Sequence, residues 1–440
     1  MVRDEPPSDV YRFCAERNFL IKNKDGQPYV HRLGNSPTFV GACIDFTHPA
    51  AVAWWQAHIR RIARMGVDGF KTDFGEQVPD DAMFFDGRTG RELHNLFPRL
   101  YNQATYEAMS QVTHGVLLAR SAWEGSQATC AIWAGDQSSD FGPATGLPSV
   151  MVAAQSAGIS GFPFWASDIG GYFGTPTEEV FIRWIQFGAF SPIMQIHGLG
   201  LREPWNFSER VLDIYRLYAQ LHLDLFPYLF TYAHRASETG LPIIRALALE
   251  FPDDPGVWGD VAEHEYCFGS ELLVAPVYWG GDRFRFTYLP RGPWRDFWSG
   301  RAYQGGALVR LPAELDMLPV LARAGAIVPF LDPSPETLLP TQTTHIRQAG
   351  NDLRVQIYPG ADGVFEMYDG TRFEWHDATH ILRVHSPSAR AVSAKVMGEH
   401  FSLSSPVAHE IGNLNGDDDF VRVQIEPNRD CDLIWSPVLS

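Results

Sequence analysis

Two carboxylates, each placed just after a short apolar run, are the side chains best suited to chemistry in this sequence. Asp73 stands in the segment GFKTDFGE, where Lys71 lies two residues earlier on the same face of a strand. A nearby cation favours the ionised carboxylate that a nucleophile requires. Asp136 stands in IWAGDQ, where the apolar ring of Trp133 would favour the protonated form that an acid requires. Two carboxyl groups in opposed environments across a sugar are the machinery of glycoside hydrolysis, although a structural ion pair or a metal site uses the same residue types.

Polar residues close every strand pattern in the first half of the chain. Short apolar runs alternate there with helical patterns, which predicts βα units and a parallel sheet. In a (β/α)8 barrel the carboxyl ends of the strands form one rim, and the active site lies at that rim. We therefore expect the residues at these ends to converge: Asp73, Arg120 with Ser121, Asp136, Asp168 and His197. Taken singly, an Asp such as Asp168 can instead cap the helix that follows it.

Apolar spacing and terminal signals predict three long helices in the same half of the chain. The first runs over 49–65, with Thr47 able to cap its start. The second runs over 91–114, and the third runs over 208–239 with a bend or break at Pro227.

The second half of the chain has a different pattern. From residue 242 onward, short alternating runs separated by Gly and Pro predict antiparallel β-structure. A Pro-rich stretch around 330–342 is typical of a linker. We therefore predict a barrel segment followed by two antiparallel β-sandwich domains, a proximal one and a distal one, with the boundaries 1–240, 241–335 and 336–440.

The composition argues against several classes of partner and site. The formal net charge of −17 would repel phosphate, so nucleic acid and anionic membrane surfaces are not expected as partners. The five cysteines are scattered without a CxxC pair or a Cys/His cluster, so no metal site is expected. The N-terminal residues lack a secretory signal pattern, and no apolar run is long enough to cross a membrane, which favours a cytoplasmic protein.

Several longer motifs resemble those of glycoside hydrolase family 31. KTDFGE followed by FFDGRTGRELHN resembles the nucleophile strand of the family's α-xylosidase branch, and IWAGDQ is similar to its acid/base segment. GFPFWASDIGGYFGTP and MQIHG resemble two further strands, and VLLARSAWEGSQ resembles the segment whose Arg contacts the sugar. The similarity extends through the β-rich tail and covers nearly the whole chain.

The resemblance implies a retaining, exo-acting α-glycoside hydrolase in which Asp73 is the nucleophile and Asp136 is the general acid/base. The substrate would be a carbohydrate with a terminal α-linked xylose or glucose, and no metal or organic cofactor would be needed. Glu76 would orient Asp73 from behind. The side chains implied to bind the sugar are Lys71, Arg120, Trp133, Trp165, Asp168, Tyr172 and His197.

The strand count departs from the family's pattern. Counting from the nucleophile strand gives five strands, which correspond to strands four to eight of the barrel. Only about 65 residues precede them, and FLIKNKDGQPYV within this segment resembles the extension after strand three. We therefore expect a partial (β/α)8 barrel with two open parallel edges, the C-terminal part of a longer enzyme. Such edges favour a homo-oligomer or a complementing N-terminal fragment as partner.

The signals for the substrate point in different directions. Lys71 stands before the nucleophile in place of the Trp typical of the family's α-glucosidases, which favours an α-xyloside. The GDQ around Asp136 and the GLPSV after it resemble sulfoquinovosidases, but a single Lys is a poor receptor for a sulfonate. An α-glucoside stays a candidate substrate, and a catalytically impaired carbohydrate-binding fragment is the non-enzyme alternative.

Overall fold

A computed structural model describes residues 8–32, 40–338, 351–398, 401–403 and 420–437. The chain divides into two compact units, residues 1–135 and residues 136–440. The last residues of the predicted linker, 339–342, lie outside the described residues.

The first unit contains the first three strands predicted at the rim. These strands are Phe70–Thr72, Leu117–Ala119 and Ala131–Trp133, and they form a parallel ladder in chain order. Asp73 directly follows the first strand and Arg120 directly follows the second, so the two side chains leave the same edge of the ladder. The α-helices of this unit are Asp9–Glu16, Pro49–Ala63, Gly90–Leu93 and Leu96–Ser110.

The predicted helices of the first unit need three corrections. His48, not Thr47, caps the helix that begins at Pro49, because its Nδ1 accepts the N–H of Ala50 at 3.1 Å. The predicted helix over 91–114 is two helices, the first closed by a capping box at its start and the second ending at Ser110. The strand Ala131–Trp133 follows a short 3-10 turn, Ser126–Ala128, instead of an α-helix, because residues 120–130 are too few for a helical crossover.

The residues before the first rim strand form antiparallel bridges, not a parallel strand. Leu20 bridges Ile44, Lys22 bridges both Pro28 and Met83, and His31–Arg32 pairs with Val40–Gly41. This agrees with the prediction that the segment is an extension and not a rim strand. Among the described residues, the strand Phe70–Thr72 therefore has a ladder partner on one side only.

The second unit begins with the remaining parallel pair. Trp165–Asp168 pairs in parallel with Ile193–Gln195, and the latter strand has no partner on its other side in the described parts of the chain. We call the unpaired sides of Phe70–Thr72 and Ile193–Gln195 the open strand edges. The helices of this unit are Leu147–Ile159, Glu178–Ala189, Glu209–Asp224, Phe226–Thr239 and Leu247–Glu250. The 3-10 helices of this unit are Pro204–Asn206, Pro255–Trp258, Asp260–His264 and Asp377–Thr379.

The predicted break in the long helix is confirmed. The first helix ends at Asp224 and the next begins at Phe226, with Pro227 in its first turn. Proline is tolerated there because the first N–H groups of a helix have no partner within the helix.

One helix of the second unit packs between the barrel segment and the β-rich part of that unit and is hydrogen-bonded to the β-rich part. Every residue from Val180 to Ala189 is buried, so the helix Glu178–Ala189 is surrounded by protein on all sides after its first two residues. Its Arg183 guanidinium donates to four backbone carbonyls, those of Asp282, Ala313, Glu314 and Met317, at 2.7–3.2 Å. Because these carbonyls belong to the β-rich part, the two parts are joined through buried polar contacts as well as through the core.

The β-rich part consists of four described sheets. The six-stranded sheet has the order Ala302–Gln304, Pro293–Asp296, Val320–Arg323, Leu272–Val274, Tyr266–Phe268 and Ile244–Ala246. The two-stranded sheet joins Phe284–Leu289 with Ala307–Pro312. The four-stranded sheet has the order Ile327–Leu331, Leu353–Ile357, Arg390–Val396 and Val421–Ile425. The five-stranded sheet has the order Gly363–Glu366, Arg372–His376, Ile381–His385, Asp430–Pro437 and Phe401–Leu403.

The antiparallel prediction fails at one pair of these strands. Leu353–Ile357 and Arg390–Val396 run parallel, whereas the other described ladders of this part are antiparallel. The chain between them passes through three strands of the five-stranded sheet and returns in the original direction. A crossover through a second sheet permits a parallel neighbour, which a hairpin cannot give.

Candidate active site

The candidate nucleophile stands at the start of a strained turn. After Asp73, Phe74 has φ +60° and Gly75 has φ +99°, so two consecutive residues adopt left-handed backbone. A Cβ at Gly75 would lie 2.6 Å from Ser121 Oγ, which restricts this position to glycine. Ser121 Oγ donates to the Phe74 carbonyl at 2.7 Å and holds the turn. A bulky residue with positive φ is kept only where its surroundings impose it, as they do at functional turns.

Arg120 holds the two carboxylates of this turn in one clamp. Its Nη1 lies 2.8 Å from Asp73 Oδ1, and its Nη2 lies 2.8 Å from Glu76 Oε1. The guanidinium also lies over the Phe74 ring, 4.1 Å from the centroid. The Arg120 side chain is 11% exposed, whereas that of Asp73 is 53% exposed. Arg120 therefore pairs with one oxygen of the Asp73 carboxylate, and the exposed part of that carboxylate stays accessible to a ligand.

Two residues that the sequence analysis did not single out support the clamp. Thr72 Oγ1 donates to Asn102 Oδ1 at 2.8 Å, and Asn102 Nδ2 donates to the Ser121 carbonyl at 2.9 Å. Asn102 is fully buried and so links the ends of two neighbouring strands. Burial, reinforced by the charge of Asp73, raises the pKa of Tyr101 well above its usual range, so this phenol keeps its proton beside the nucleophile.

Lys71 and Trp133 contact each other. The Lys71 ammonium lies 4.0 Å from the centroid of the Trp133 ring, a distance at which the cation is attracted to the aromatic face. Trp133 is only 3% exposed, and its indole N–H has no acceptor among the described residues. The ring therefore offers little surface to a sugar and instead holds Lys71.

A cavity of about 390 Å³ opens beside the clamp within the first unit. Sites for small ligands start at roughly this size. Trp123, at 47% exposure, contributes the largest exposed apolar ring to its wall. The lining residues are Glu76, His94, Asn95, Pro98, Arg120, Ser121, Ala122, Trp123, Ala134 and Gly135. The last of these directly precedes Asp136 in the chain.

In the second unit, Asp136 is exposed at the start of a loop fixed by backbone hydrogen bonds. The carbonyl of Gln137 accepts the N–H groups of Tyr172 and Phe173, both at 2.8 Å. The N–H of Ser139 donates to the Phe173 carbonyl at 2.9 Å. The loop that starts at Asp136 is thus joined to the loop after the strand Trp165–Asp168.

The remaining predicted sugar ligands of the second unit differ in their access to solvent. His197 is exposed and its ring centroid lies 5.4 Å from that of Tyr172, so these two predicted ligands come together. Asp168 is fully buried and accepts the Gln195 side-chain N–H at 2.7 Å. Trp165 is 6% exposed. Asp168 and Trp165 therefore have little surface available to a ligand.

Gln195 and Arg202 are functional candidates of this unit that the sequence analysis missed. Arg202 is 3% exposed and donates to the loop around Tyr172. No spacing rule marks an arginine in a loop as buried, so only the fold identifies it.

The described residues hold neither a group of three or more His, Cys, Asp or Glu side chains placed for a metal ion nor a helix long and apolar enough to span a membrane.

Comparisons with known proteins match two consecutive segments of the chain to one family. The model of the "Glycosyl hydrolases family 31 TIM-barrel domain" matches residues 1–232, and that of the "Glycosyl hydrolase family 31 C-terminal domain" matches residues 240–328. An isomaltosyltransferase of Sporosarcina globispora is 36% identical over 336 residues, which cover 72% of this chain and 30% of that protein. An α-xylosidase of Emericella nidulans is 33% identical over 336 residues, which cover 73% of this chain and 42% of that protein.

The fold of this chain resembles part of a solved structure, and the resemblance extends over almost the whole of this chain. The cycloalternan-forming enzyme from Listeria monocytogenes, in complex with a pentasaccharide substrate, has a TM-score of 0.83 and 26% sequence identity. The match covers 98% of this chain and 45% of that enzyme. The chain thus spans less than half the length of these relatives.

Proposed function

This chain belongs to glycosyl hydrolase family 31, and we propose that it carries the catalytic residues of a retaining α-glycoside hydrolase that removes terminal α-linked sugars. Asp73 is the nucleophile and Asp136 is the general acid/base. The proposed sugar ligands are Lys71 and His197, which are exposed, Arg120, which contacts the nucleophile turn, and Tyr172, whose ring contacts that of His197.

The proposed reaction has two displacement steps. In the first, an Asp73 oxygen attacks the anomeric carbon, the bond to the leaving oxygen breaks, and Asp136 gives that oxygen its proton. The product is a β-linked glycosyl ester of Asp73. In the second step Asp136 takes a proton from water, the hydroxide oxygen attacks from the α face, and the ester bond breaks. Two inversions return an α-sugar and restore both carboxyl groups.

The observation that carries this proposal is the clamp between Arg120 and the two carboxylates. Arg120 holds Asp73 as an accessible anion through one nitrogen and Glu76 through the other. When Asp73 becomes a neutral ester, Arg120 keeps a charged partner in Glu76. The site therefore avoids a largely buried, unpaired cation in the covalent intermediate, which would be costly.

Burial assigns supporting roles to the other predicted ligands. We propose that Trp133 holds Lys71 through its ring and that Asp168 fixes the side chain of Gln195. The cavity lined by Trp123 would take part of the carbohydrate. The β-rich part is proposed to form two sandwich domains, over 241–335 and 336–440.

An α-xyloside or an α-glucoside is the proposed substrate. The exposed Lys71 ammonium suits the hydroxyl groups of a neutral sugar, to which it donates. The two other candidates are a sulfoquinovoside, which would need more cationic groups than Lys71 alone, and a binding fragment without turnover.

Hydrolysis of a panel of 4-nitrophenyl α-glycosides tests the proposal. The panel contains the α-xyloside, the α-glucoside and the α-sulfoquinovoside, and proton NMR reads the first anomer released. We expect turnover of one of the neutral sugars with the α-anomer first. A 5-fluoro-glycosyl fluoride of that sugar should add its glycosyl mass to the peptide that contains Asp73. Binding without turnover would support the fragment alternative, and release of the β-anomer first would refute the two-step mechanism.

A further inference from the structure

Arg202 has a guanidinium group enclosed by protein, with 3% exposure, although arginines are mostly found at the surface. Its Nε donates to the Gly171 carbonyl at 2.7 Å. Its Nη2 lies within hydrogen-bond distance of three oxygens: the Tyr172 carbonyl at 2.8 Å, the Gly174 carbonyl at 2.7 Å and Ser139 Oγ at 3.1 Å. A single side chain thus joins two segments that are distant in the sequence.

The two segments are also hydrogen-bonded to each other. Residues 137–139 and 171–174, which we call the paired loops, form a parallel bridge between Ser138 and Phe173. Ser139 Oγ donates to the Phe173 carbonyl at 2.6 Å, in addition to the three backbone hydrogen bonds described above. Residues 137–139 begin directly after Asp136. The position of the Asp136 backbone therefore depends on how firmly the paired loops are held.

Two glycines make room for this arrangement. A Cβ at Gly198 would lie 2.3 Å from Arg202 Nε, and a Cβ at Gly171 would lie 2.7 Å from the Ser138 carbonyl oxygen. Gly171 also has φ +78°, a conformation that other residues rarely adopt. A larger residue at position 198 would displace the Arg202 side chain, and a larger residue at position 171 would push the paired loops apart.

The buried charge has compensating partners. Burial lowers the pKa of Arg202, and the negative charge of Asp168 opposes that shift. Backbone oxygens accept from Nε and Nη2, and the charge of Asp168 favours the cation, which together offset part of the cost of burying it. A lysine at this position would keep the charge but could not donate along the two directions of the guanidinium plane.

We propose that Arg202 is a positioning residue for the general acid/base, acting through the paired loops without touching the substrate. This inference rests on the proposed function in that it takes Asp136 as the acid/base. Proton transfer by a positioned side chain contributes roughly 10²–10⁴-fold to rate, and a displacement of about 1 Å can remove on the order of 10²-fold. Loosening the paired loops should therefore weaken proton donation specifically.

The test compares Arg202→Lys with Arg210→Lys in the full chain, because Arg210 is an exposed arginine on the adjacent helix. Values of kcat/KM are measured for a 4-methoxyphenyl α-glycoside, which needs a proton on its leaving oxygen, and for the α-glycosyl fluoride, which needs much less acid assistance. Amide hydrogen exchange is measured at Ser139, Tyr172 and Phe173. Ser139→Ala provides a second variant that leaves the cation compensated, since it removes one acceptor of Arg202 together with the hydrogen bond from Ser139 Oγ to the Phe173 carbonyl.

For Arg202→Lys we expect a loss of about 10²-fold on the aryl glycoside, a loss below about tenfold on the fluoride, and faster exchange in the paired loops. Ser139→Ala should show the same pattern to a smaller degree, and Arg210→Lys should match the unmodified chain. Equal losses on both substrates, or unchanged exchange in the paired loops, would overturn the inference. If the unmodified chain hydrolyses nothing, the proposed function fails on that result alone, while exchange still decides whether Arg202 holds the paired loops.

Discussion

Replacing Arg120 tests the clamp at the nucleophile most directly. Arg120 makes one charge-assisted contact of 2.8 Å to Asp73 and one of 2.8 Å to Glu76. Arg120→Lys keeps the positive charge but can serve only one carboxylate well, because an ammonium lacks the two parallel donor directions of a guanidinium. Arg120→Gln removes the charge and leaves two carboxylates without their shared cation.

The size of each effect follows from these contacts. A hydrogen bond to a charged group contributes about 1.5–3 kcal/mol, and the half-exposed Asp73 places it at the lower end. Loss of one such bond in Arg120→Lys, about 1.5 kcal/mol, corresponds to roughly a tenfold decrease in kcat/KM. Loss of both bonds in Arg120→Gln, about 3 kcal/mol, corresponds to a decrease on the order of 10²-fold.

The assay is kcat/KM on the best 4-nitrophenyl α-glycoside, together with the rate at which a 5-fluoro-glycosyl fluoride labels the Asp73 peptide. Arg61→Lys is the matched control, since Arg61 is an exposed arginine of the same unit. Thermal denaturation checks that each variant is folded. The clamp interpretation is refuted if folded Arg120→Gln and Arg120→Lys both label and turn over within about twofold of the control.

Three further predictions concern the acid/base, a buried carboxyl group and the open strand edges. Azide should rescue Asp136→Ala to give the α-glycosyl azide and Asp73→Ala to give the β-glycosyl azide; the opposite stereochemistry, read by NMR, would exchange the two roles. Burial raises the pKa of Glu265 to about 8, against the opposing charge of Arg285 whose Nη2 lies 3.7 Å away, too far for a hydrogen bond. Since the folded state then binds the proton more tightly than the unfolded state, the free energy of unfolding should fall as pH rises from about 4.5 to about 8, by at most about 1.4 kcal/mol per pH unit. In urea titrations at several pH values, the free energy of unfolding of Glu265→Gln should depend less on pH than that of the unmodified chain. An identical pH dependence would contradict the raised pKa of Glu265. The open strand edges should make the chain self-associate or bind hydrophobic dyes, and supplying a segment with the first barrel strands should suppress both effects. A chain that is a monodisperse monomer by light scattering and shows no dye fluorescence would contradict this prediction.

The sequence was sufficient to locate the strands and the residues at their ends. Alternation of apolar runs with helical patterns depends on local periodicity, which is written in consecutive residues. This periodicity placed Asp73 and Arg120 directly after parallel strands. The break in the long helix was placed near Pro227, because proline disturbs the helix locally. The family resemblance predicted catalytic roles for the two carboxylates, which stay a prediction, and it predicted that the segment before the first rim strand adds no parallel strand to the ladder.

Only the tertiary structure decided which side chains meet and which are buried. Arg120 reaches Glu76 across 44 positions of sequence, and Arg202 reaches Ser139 across 63. The direction in which such a side chain points depends on the packing of distant elements, which no local period records. The same reason explains why Asp168 and Trp165, correctly placed in a rim strand, are enclosed by protein, and why two neighbouring strands of the four-stranded sheet run parallel. Periodicity in the sequence sets the elements, and the contacts between distant elements set the chemistry that each side chain can perform.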